Sequence, residues 1–157
     1  MLKIPSKVSI SLSVFLSVLF FIVCVVGAFF LPELVEILIN TKDNIGNRDN
    51  ITDAGRVFVH IMAYGVLADA VLADILLFSL LLRVRRGQVF TQPSVALIRG
   101  VSWCCFLLCA IFACIGVYFQ LAFIVAFAAV FLGICLRVVK NVIEEATEIK
   151  SENDLTV

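Results

Sequence analysis

Four long apolar segments, separated by polar connections, run along this chain of 157 residues. The segments suited to crossing a membrane are residues 8–31, 57–82, 98–119 and 121–139. Each is long enough for the ~20 residues that a helix needs to cross ~30 Å of hydrocarbon. Helices are expected because hydrocarbon offers the backbone no hydrogen-bond partner, and the alternation of a membrane β-barrel is absent. The pattern predicts an all-α polytopic membrane protein whose four transmembrane helices form an antiparallel bundle.

The polar connections divide a single membrane domain, residues 1–157, into an outer loop at 32–56, an inner loop at 83–97 and a tail at 140–157. Pro32 closes the first apolar run. The sequence ELVEILIN that follows it is amphipathic and suited to lying on the membrane surface. The first helix is therefore expected to end near this proline.

The tail repeats apolar residues at helical spacing, so the fourth helix is expected to extend beyond the membrane into the cytoplasm. From Ser151 onward the chain is expected to fray. The apolar stripe of the tail needs a cover, which can be the inner loop, a second copy of the chain or another protein. The stripe consists of Val138, Val142, Ala146 and Ile149.

Composition and charge exclude a soluble domain and predict the orientation. The chain is 62% hydrophobic and 15% charged, whereas a soluble domain is about half apolar and a quarter charged. The formal net charge is zero, so the bulk balance says nothing about nucleic acid. No direct nucleic-acid binding is expected. The inner loop carries Arg83, Arg85 and Arg86 without an acid, whereas acids outnumber bases in the outer loop. Because basic residues concentrate on the cytoplasmic side, we expect a multi-pass cell-membrane protein with cytoplasmic N- and C-termini.

Two aspartates interrupt the second apolar segment, VLADAVLADILLFSLLL. Asp74 and Asp69 lie ~12 Å and ~20 Å from its inner boundary, and ~140° apart around a helix. At least one should face the bundle, or both should flank a cleft. Three roles remain open: hydrogen bonds between helices, proton or cation transport, and ligand or proton sensing. Candidate hydrogen-bond partners are Tyr64, Ser79, Ser102 and Tyr118.

Motifs for enzymatic chemistry are absent from the chain. The six cysteines all lie in apolar runs without a Cys-x-x-Cys pair, and His60 is the one histidine. A zinc site requires converging Cys and His ligands, and the outer loop does not have the calcium-loop spacing. No phosphate loop, nucleophile elbow or zinc-protease motif occurs. We therefore expect neither an enzyme nor a metal ion or cofactor.

The inner loop, RVRRGQVFTQPSVALIRG, has two interpretations. Gly87 breaks the second helix, and Thr91 or Gln92 can begin the third. The loop can anchor the protein at the lipid headgroups, or it can form a docking surface for a soluble protein. The candidate partner-binding residues of this loop and the tail are Arg83, Arg85, Arg86, Phe90, Thr91, Arg99, Glu152 and Asp154.

Two short motifs carry a family resemblance. Gly87–Thr91 places a glycine before an apolar residue and Phe-Thr, and a short helix then leads to Arg99; residues 151–157 read SENDLTV. Over essentially the whole chain, these features resemble a family of small four-span bacterial membrane proteins, domain of unknown function 2975. The resemblance implies no established activity, and therefore no catalytic residues. It also implies frequent genetic proximity to a small helix-turn-helix regulator of the Cro/CI type.

These observations lead to one main hypothesis and two alternatives. The main hypothesis is a non-enzymatic regulatory or accessory protein that presents its inner loop and tail to a cytoplasmic partner, such as a small helix-turn-helix regulator. The first alternative is a small transporter or channel that uses Asp69 and Asp74. The second is an immunity protein against an envelope-acting peptide, in which residues 42–53 would act. Besides the lipid bilayer, a second copy of the chain is a further candidate partner.

Overall fold

Four helices account for nearly all of the residues that the computed structural model describes, which are 6–40, 51–88 and 90–155. Helix α1 covers Ser6–Asn40, α2 covers Asp53–Arg85, α3 covers Gln92–Ile115 and α4 covers Ala122–Leu155. All four are long and apolar enough to cross a membrane. The predicted all-α polytopic fold is confirmed.

Three of the helices are longer than a membrane span requires. Helices α1, α2 and α4 contain 35, 33 and 34 residues, which corresponds to about 50 Å at the helical rise. Because the hydrocarbon layer is only ~30 Å thick, these helices tilt or extend past it. Helix α3, with 24 residues, fits the layer more closely.

Helix α1 continues through Pro32 to Asn40, although the sequence pattern placed residues 32–40 in the outer loop. Proline removes one helical hydrogen bond and crowds the preceding turn, but packing can outweigh that cost. Here Val35 is buried at 6% exposure, and Glu36 forms an ion pair of 3.4 Å with Arg56 at the beginning of α2. The residues after Pro32 therefore pack against α2 as part of the helix.

Each helix packs against its neighbour in the chain. The backbone of α1 lies against α2, that of α2 against α3 and that of α3 against α4; within the described ranges, α1 approaches neither α3 nor α4. Two contacts give the direction of the first pair, because Ser17 meets Asp74 whereas the later Glu36 meets the earlier Arg56. Neighbouring helices are thus antiparallel, and α1 and α4 form the two open edges of the arrangement.

Small residues form the closest helix contacts, as is common in membranes. A Cβ atom on Gly133 of α4 would lie 3.2 Å from the Phe106 ring and 3.3 Å from Cβ of Cys105 in α3. Large side chains such as Phe29 and Phe127, exposed at 80% and 73%, instead face outward. Lipid covers such apolar surfaces without a free-energy cost, so small and polar side chains can occupy positions between the helices.

Helix α4 reaches Leu155 without interruption. The prediction that the chain frays from Ser151 is therefore wrong, and neither glycine nor proline occurs between 151 and 155 to break the helix. Thr147 is buried on the face toward α3, whereas Val138, Val142 and Ile149 remain exposed. In the described part of the chain, the inner connection does not cover that stripe.

Candidate functional site

The two intramembrane aspartates are both buried in α2. Asp69 is 5% exposed and Asp74 is 6% exposed. Five residues of helix separate them by ~140°, so they point toward different neighbours. Asp74 meets α1 through Ser17, whereas Asp69 lies with Cys104 and Cys105 of α3 around the same cavity. The two carboxyl groups therefore flank a cleft, which is one of the two arrangements that the helical spacing allowed.

Asp74 has a hydrogen-bond partner that the sequence analysis did not identify. The hydroxyl of Ser17 donates to Oδ1 of Asp74 over 2.7 Å, in a buried position. Two of the proposed partners are engaged elsewhere, since Ser79 donates to the Ile75 carbonyl and Ser102 to the Gly133 carbonyl. The only sequence signal for Ser17 was its spacing of four from Ser13, which places both serines on one face of α1.

Asp69 differs from Asp74 because one of its oxygens lacks a partner. Its Oδ1 atom is fully buried and accepts no hydrogen bond from the described residues. A buried polar atom without a partner is costly, and such an atom in a folded protein calls for an explanation. The packing of α2 alone does not supply this partner, so the surroundings of the carboxyl group matter.

A cavity of about 700 Å³ lies among α1, α2 and α3. Both aspartates line it together with the hydroxyl-bearing Ser13 and Ser17 and the two cysteines of α3. The rest of its wall is apolar and includes Leu16, Phe20, Leu77, Leu81 and Leu108. None of the lining residues is basic, so the acids of the cavity have no protein cation beside them.

The connection between α2 and α3, residues 83–91, is named here the arginine turn. It begins with a helix end in which Gln88 N–H donates to the Arg83 carbonyl and Gly87 N–H to the Val84 carbonyl, both at 3.0 Å. Gly87 has a φ of 75°, a conformation that glycine adopts without the penalty of a Cβ atom. The glycine of the family motif therefore has a structural task, which is to end α2.

Two hydroxyls connect the arginine turn to the beginning of α3. Ser94 Oγ donates to the Gln88 carbonyl over 2.8 Å, and Thr91 Oγ1 lies 3.3 Å from the same oxygen. The Thr91 and Ser94 hydroxyls are also 2.9 Å apart. Helix α3 begins at Gln92, which confirms its predicted start. The turn is thus held by backbone groups and short side chains.

The candidate partner-binding residues separate into different environments. Arg85, Arg86 and Phe90 are exposed, and Arg83 is half-buried. Thr91 takes part in the hydrogen bonds of the turn, and the exposed Arg99 forms an ion pair of 3.4 Å with Glu144 of α4. Glu152 is exposed near the end of α4. The side chain of Asp154 lies outside the described residues, as do residues 41–50 of the outer loop.

A second group of charges, not identified from sequence, joins α3 to α4. Lys140 forms an ion pair with Glu144, which also receives Arg99. Arg137 lies over two rings of α3, at 5.3 Å from the Trp103 centroid and 5.6 Å from that of Phe106. The spacing of three between Arg137 and Lys140 was the available signal, because it places both on one helix face.

Metal ligation has no support among the residues that the structure describes. No three His, Cys, Asp or Glu side chains in these ranges are arranged to hold an ion. His60 Nδ1 lies 2.9 Å from the carbonyl of Arg56, within its own helix. The chemistry available in the cleft is therefore that of carboxyl, hydroxyl and thiol groups.

The fold and the cleft define a small α-helical polytopic membrane protein with buried carboxyl groups. Residues 43–157 match the family described as a protein of unknown function, DUF2975, and the chain belongs to that family. This match confirms the resemblance carried by the Gly87–Thr91 motif. No curated protein and no solved structure matches the chain.

Proposed function

We propose that this protein is a non-enzymatic regulatory or accessory protein of the bacterial cell membrane, with the arginine turn and both termini in the cytoplasm. The orientation rests on the rule that basic residues concentrate on the cytoplasmic side. Arg83, Arg85 and Arg86 meet that rule without an acidic residue in the connection. The turn is then available to cytoplasmic proteins.

One observation carries the proposal: the hydrogen bonds that hold the described part of the arginine turn do not use the arginine side chains. Its backbone bonds and hydroxyls hold the chain, whereas Arg85, Arg86 and Phe90 remain exposed. Arginine and aromatic residues are enriched at protein–protein interfaces, and arginine is enriched in their hot spots. A partner with carboxylate and apolar groups on its surface would fit, and the family resemblance favours a small helix-turn-helix regulator.

The competing interpretation is anchorage of the same arginines at the lipid headgroups. Lysine supports anchorage as well as arginine does, but it cannot form the planar two-point bond to a carboxylate. The joint variant Arg85→Lys, Arg86→Lys therefore retains the charge and removes only the guanidinium geometry. We expect this variant to insert normally and to lose its partner, whereas Arg85→Ala, Arg86→Ala would weaken both properties.

The experiment is purification of the tagged protein from its native membrane in a mild detergent, followed by mass spectrometry. Wild type should retain a DNA-binding protein that both double variants lose. A matched control is Arg137→Lys, which changes an arginine that faces α3 rather than the cytoplasm. Equal retention by wild type and the lysine variant would refute docking through the arginine turn. Recovery of a second copy alone would instead favour self-association, for example across the exposed Val138–Val142 stripe.

A second candidate function is transport or sensing by the buried aspartates. The observation that favours it is that Asp69 and Asp74 border one cavity instead of lying on unrelated surfaces.

The immunity hypothesis concerns residues 42–53, most of which lie outside the described residues.

A further inference from the structure

We propose that the cavity among α1, α2 and α3 binds an amphipathic organic cation, whose charged group lies between Asp69 and Asp74. This inference uses no residue of the arginine turn, so it stands or fails independently of the docking proposal. It rests on the size of the cavity, the character of its wall and the unpartnered oxygen of Asp69.

The cavity has the dimensions of a small-molecule site. Its volume of about 700 Å³ lies within the range of ~300–1,000 Å³ that is typical of ligand pockets. Such pockets are mostly apolar with a few polar groups that fix orientation. Leu16, Leu77 and Leu108 supply apolar walls from three different helices, and Phe20 adds an aromatic ring. The ligand must therefore have an apolar body.

The polar groups of the cavity select a cation. Both aspartates are at least nine-tenths buried, and no lysine, arginine or histidine lines the cavity with them. Ser17 satisfies one oxygen of Asp74, but Oδ1 of Asp69 has no partner among the described residues. A ligand with a positive charge would supply the counter-charge that the lining lacks. Rotation of the Asp69 side chain would let its unpartnered oxygen accept a ligand N–H, and hydrogen bonds to ionised groups are the stronger kind.

Other occupants fit these features less well. A lipid tail offers no donor to Asp69. The cavity extends from Ser13 to Phe20 on α1, or ~10 Å, and from Asp69 to Leu81 on α2, or ~18 Å. A helix of a second copy would need a groove across the whole ~30 Å layer. Arg137 of α4 is held over the rings of α3, and the backbone of α4 does not approach that of α2 among the residues that the structure describes.

The ligand can enter from the lipid side. The backbones of α1 and α3 do not approach each other in the described ranges. Leu16 and Phe20 line the cavity and are also 52% and 46% exposed. Access between these two helices suits a compound that partitions into the bilayer before it binds.

The test uses ethidium, a fluorescent apolar cation, and the purified protein in phosphatidylcholine nanodiscs. Fluorescence anisotropy should report saturable binding that exceeds the signal of empty nanodiscs. Tetraphenylphosphonium should compete, whereas the neutral triphenylphosphine oxide should not. Asp69→Asn and Asp74→Asn retain the side-chain shape and should each weaken binding by about 10- to 100-fold, the range expected for a lost hydrogen bond to a charged group.

Two phenylalanine variants, one inside the cavity and one outside it, keep the test decisive if an asparagine variant fails to fold. Ala73→Phe places a ring in the cavity, whereas Ala68→Phe makes the same change at an exposed position of the same helix. Binding should be lost in the first variant and retained in the second. The proposal is overturned if wild type does not bind, if neutral and charged competitors act alike, or if Ala73→Phe and Ala68→Phe bind equally. The arginine-turn variants should bind ethidium as wild type does.

Discussion

The hydrogen bond between Ser17 and Asp74 should hold α1 against α2, and Ser17→Ala tests this directly. The bond is short at 2.7 Å and buried, and it connects the interiors of the two helices. Helix α1 has few other means of attachment, because it contacts only α2 in the described ranges. The Glu36–Arg56 ion pair near the other end of α1 is substantially exposed and should add little.

The expected cost of Ser17→Ala is about 1–2 kcal/mol. Hydrogen bonds between transmembrane helices average ~0.6 kcal/mol and reach ~1.7 kcal/mol, and a buried acceptor left without its donor costs ~1–3 kcal/mol. A loss of about 1–2 kcal/mol raises the population of the opened state roughly 5- to 30-fold. Cys24 of α1 is 6% exposed, so opening of α1 from α2 would expose its thiol.

The assay is the rate at which N-ethylmaleimide labels Cys24, resolved by mass spectrometry and normalised to the exposed Cys114. Ser17→Ala should accelerate labelling of Cys24 roughly 5- to 30-fold, as the population of the opened state rises. Ser11→Ala removes an exposed hydroxyl from the same helix and should have no effect. Asp74→Ala should accelerate labelling at least as much as Ser17→Ala, because it also removes a carboxyl group that acts electrostatically on Cys24, and the double variant should add little to Asp74→Ala. Equal rates for Ser17→Ala and Ser11→Ala would refute the assigned role of this bond.

Three further predictions concern the turn and the α3–α4 interface, each measured by detergent-denaturant unfolding followed through Trp103 fluorescence. Gly87→Ala should destabilise the protein by about 1–2 kcal/mol through backbone strain alone, because Gly87 has a φ of 75° and no atom within 4 Å of the added Cβ; an unchanged midpoint would contradict this. Gly133→Val should destabilise the protein more than Gly133→Ala, since even a Cβ atom lies 3.2 Å from the Phe106 ring. Equal midpoints would show that the side chains of the interface move to accommodate the larger residue. Glu144→Gln should lower the unfolding free energy, because Glu144 pairs both with the exposed Arg99 and with Lys140, whose side chain is only 14% exposed; an unchanged midpoint would show that the α3–α4 interface does not depend on these ion pairs.

The helices could be predicted from sequence because the length of an apolar run is a local property. The end of α1 could not be predicted from sequence, because it depends on how the segment with the buried Val35 and with Glu36 packs against α2. Burial of this segment, as at Val35, outweighs the preference of Pro32 to end a helix, and the exposed ion pair adds little. Likewise, the spacing of Asp69 and Asp74 predicted their directions around α2, but not which helix would lie in each direction.

The charged and polar partners were harder to predict than the acids themselves. Ser17 becomes a partner of Asp74 only through the rotation and register of α1 on α2, and the spacing of Ser13 and Ser17 shows their common face but not which helix lies against it. The same holds for Arg137, whose position over Trp103 depends on the register of α4 on α3. Small residues such as Gly133 determine that register, yet their role is visible only when the facing ring is known.

The hydrogen-bond partners of the buried polar residues distinguish residues with a structural role from a residue suited to binding. In the described part of the chain they are Ser17, Asp69, Asp74, Ser94, Ser102 and Thr147. Ser94, Ser102 and Thr147 each donate to a backbone carbonyl, and Ser17 and Asp74 satisfy each other. Hydrogen bonding within the protein therefore explains five of these residues, and Asp69 alone retains a buried oxygen without a partner. If asparagine at this position left both ethidium binding and stability unchanged, Asp69 would have neither role, so Asp69→Asn is the most informative substitution in the cleft.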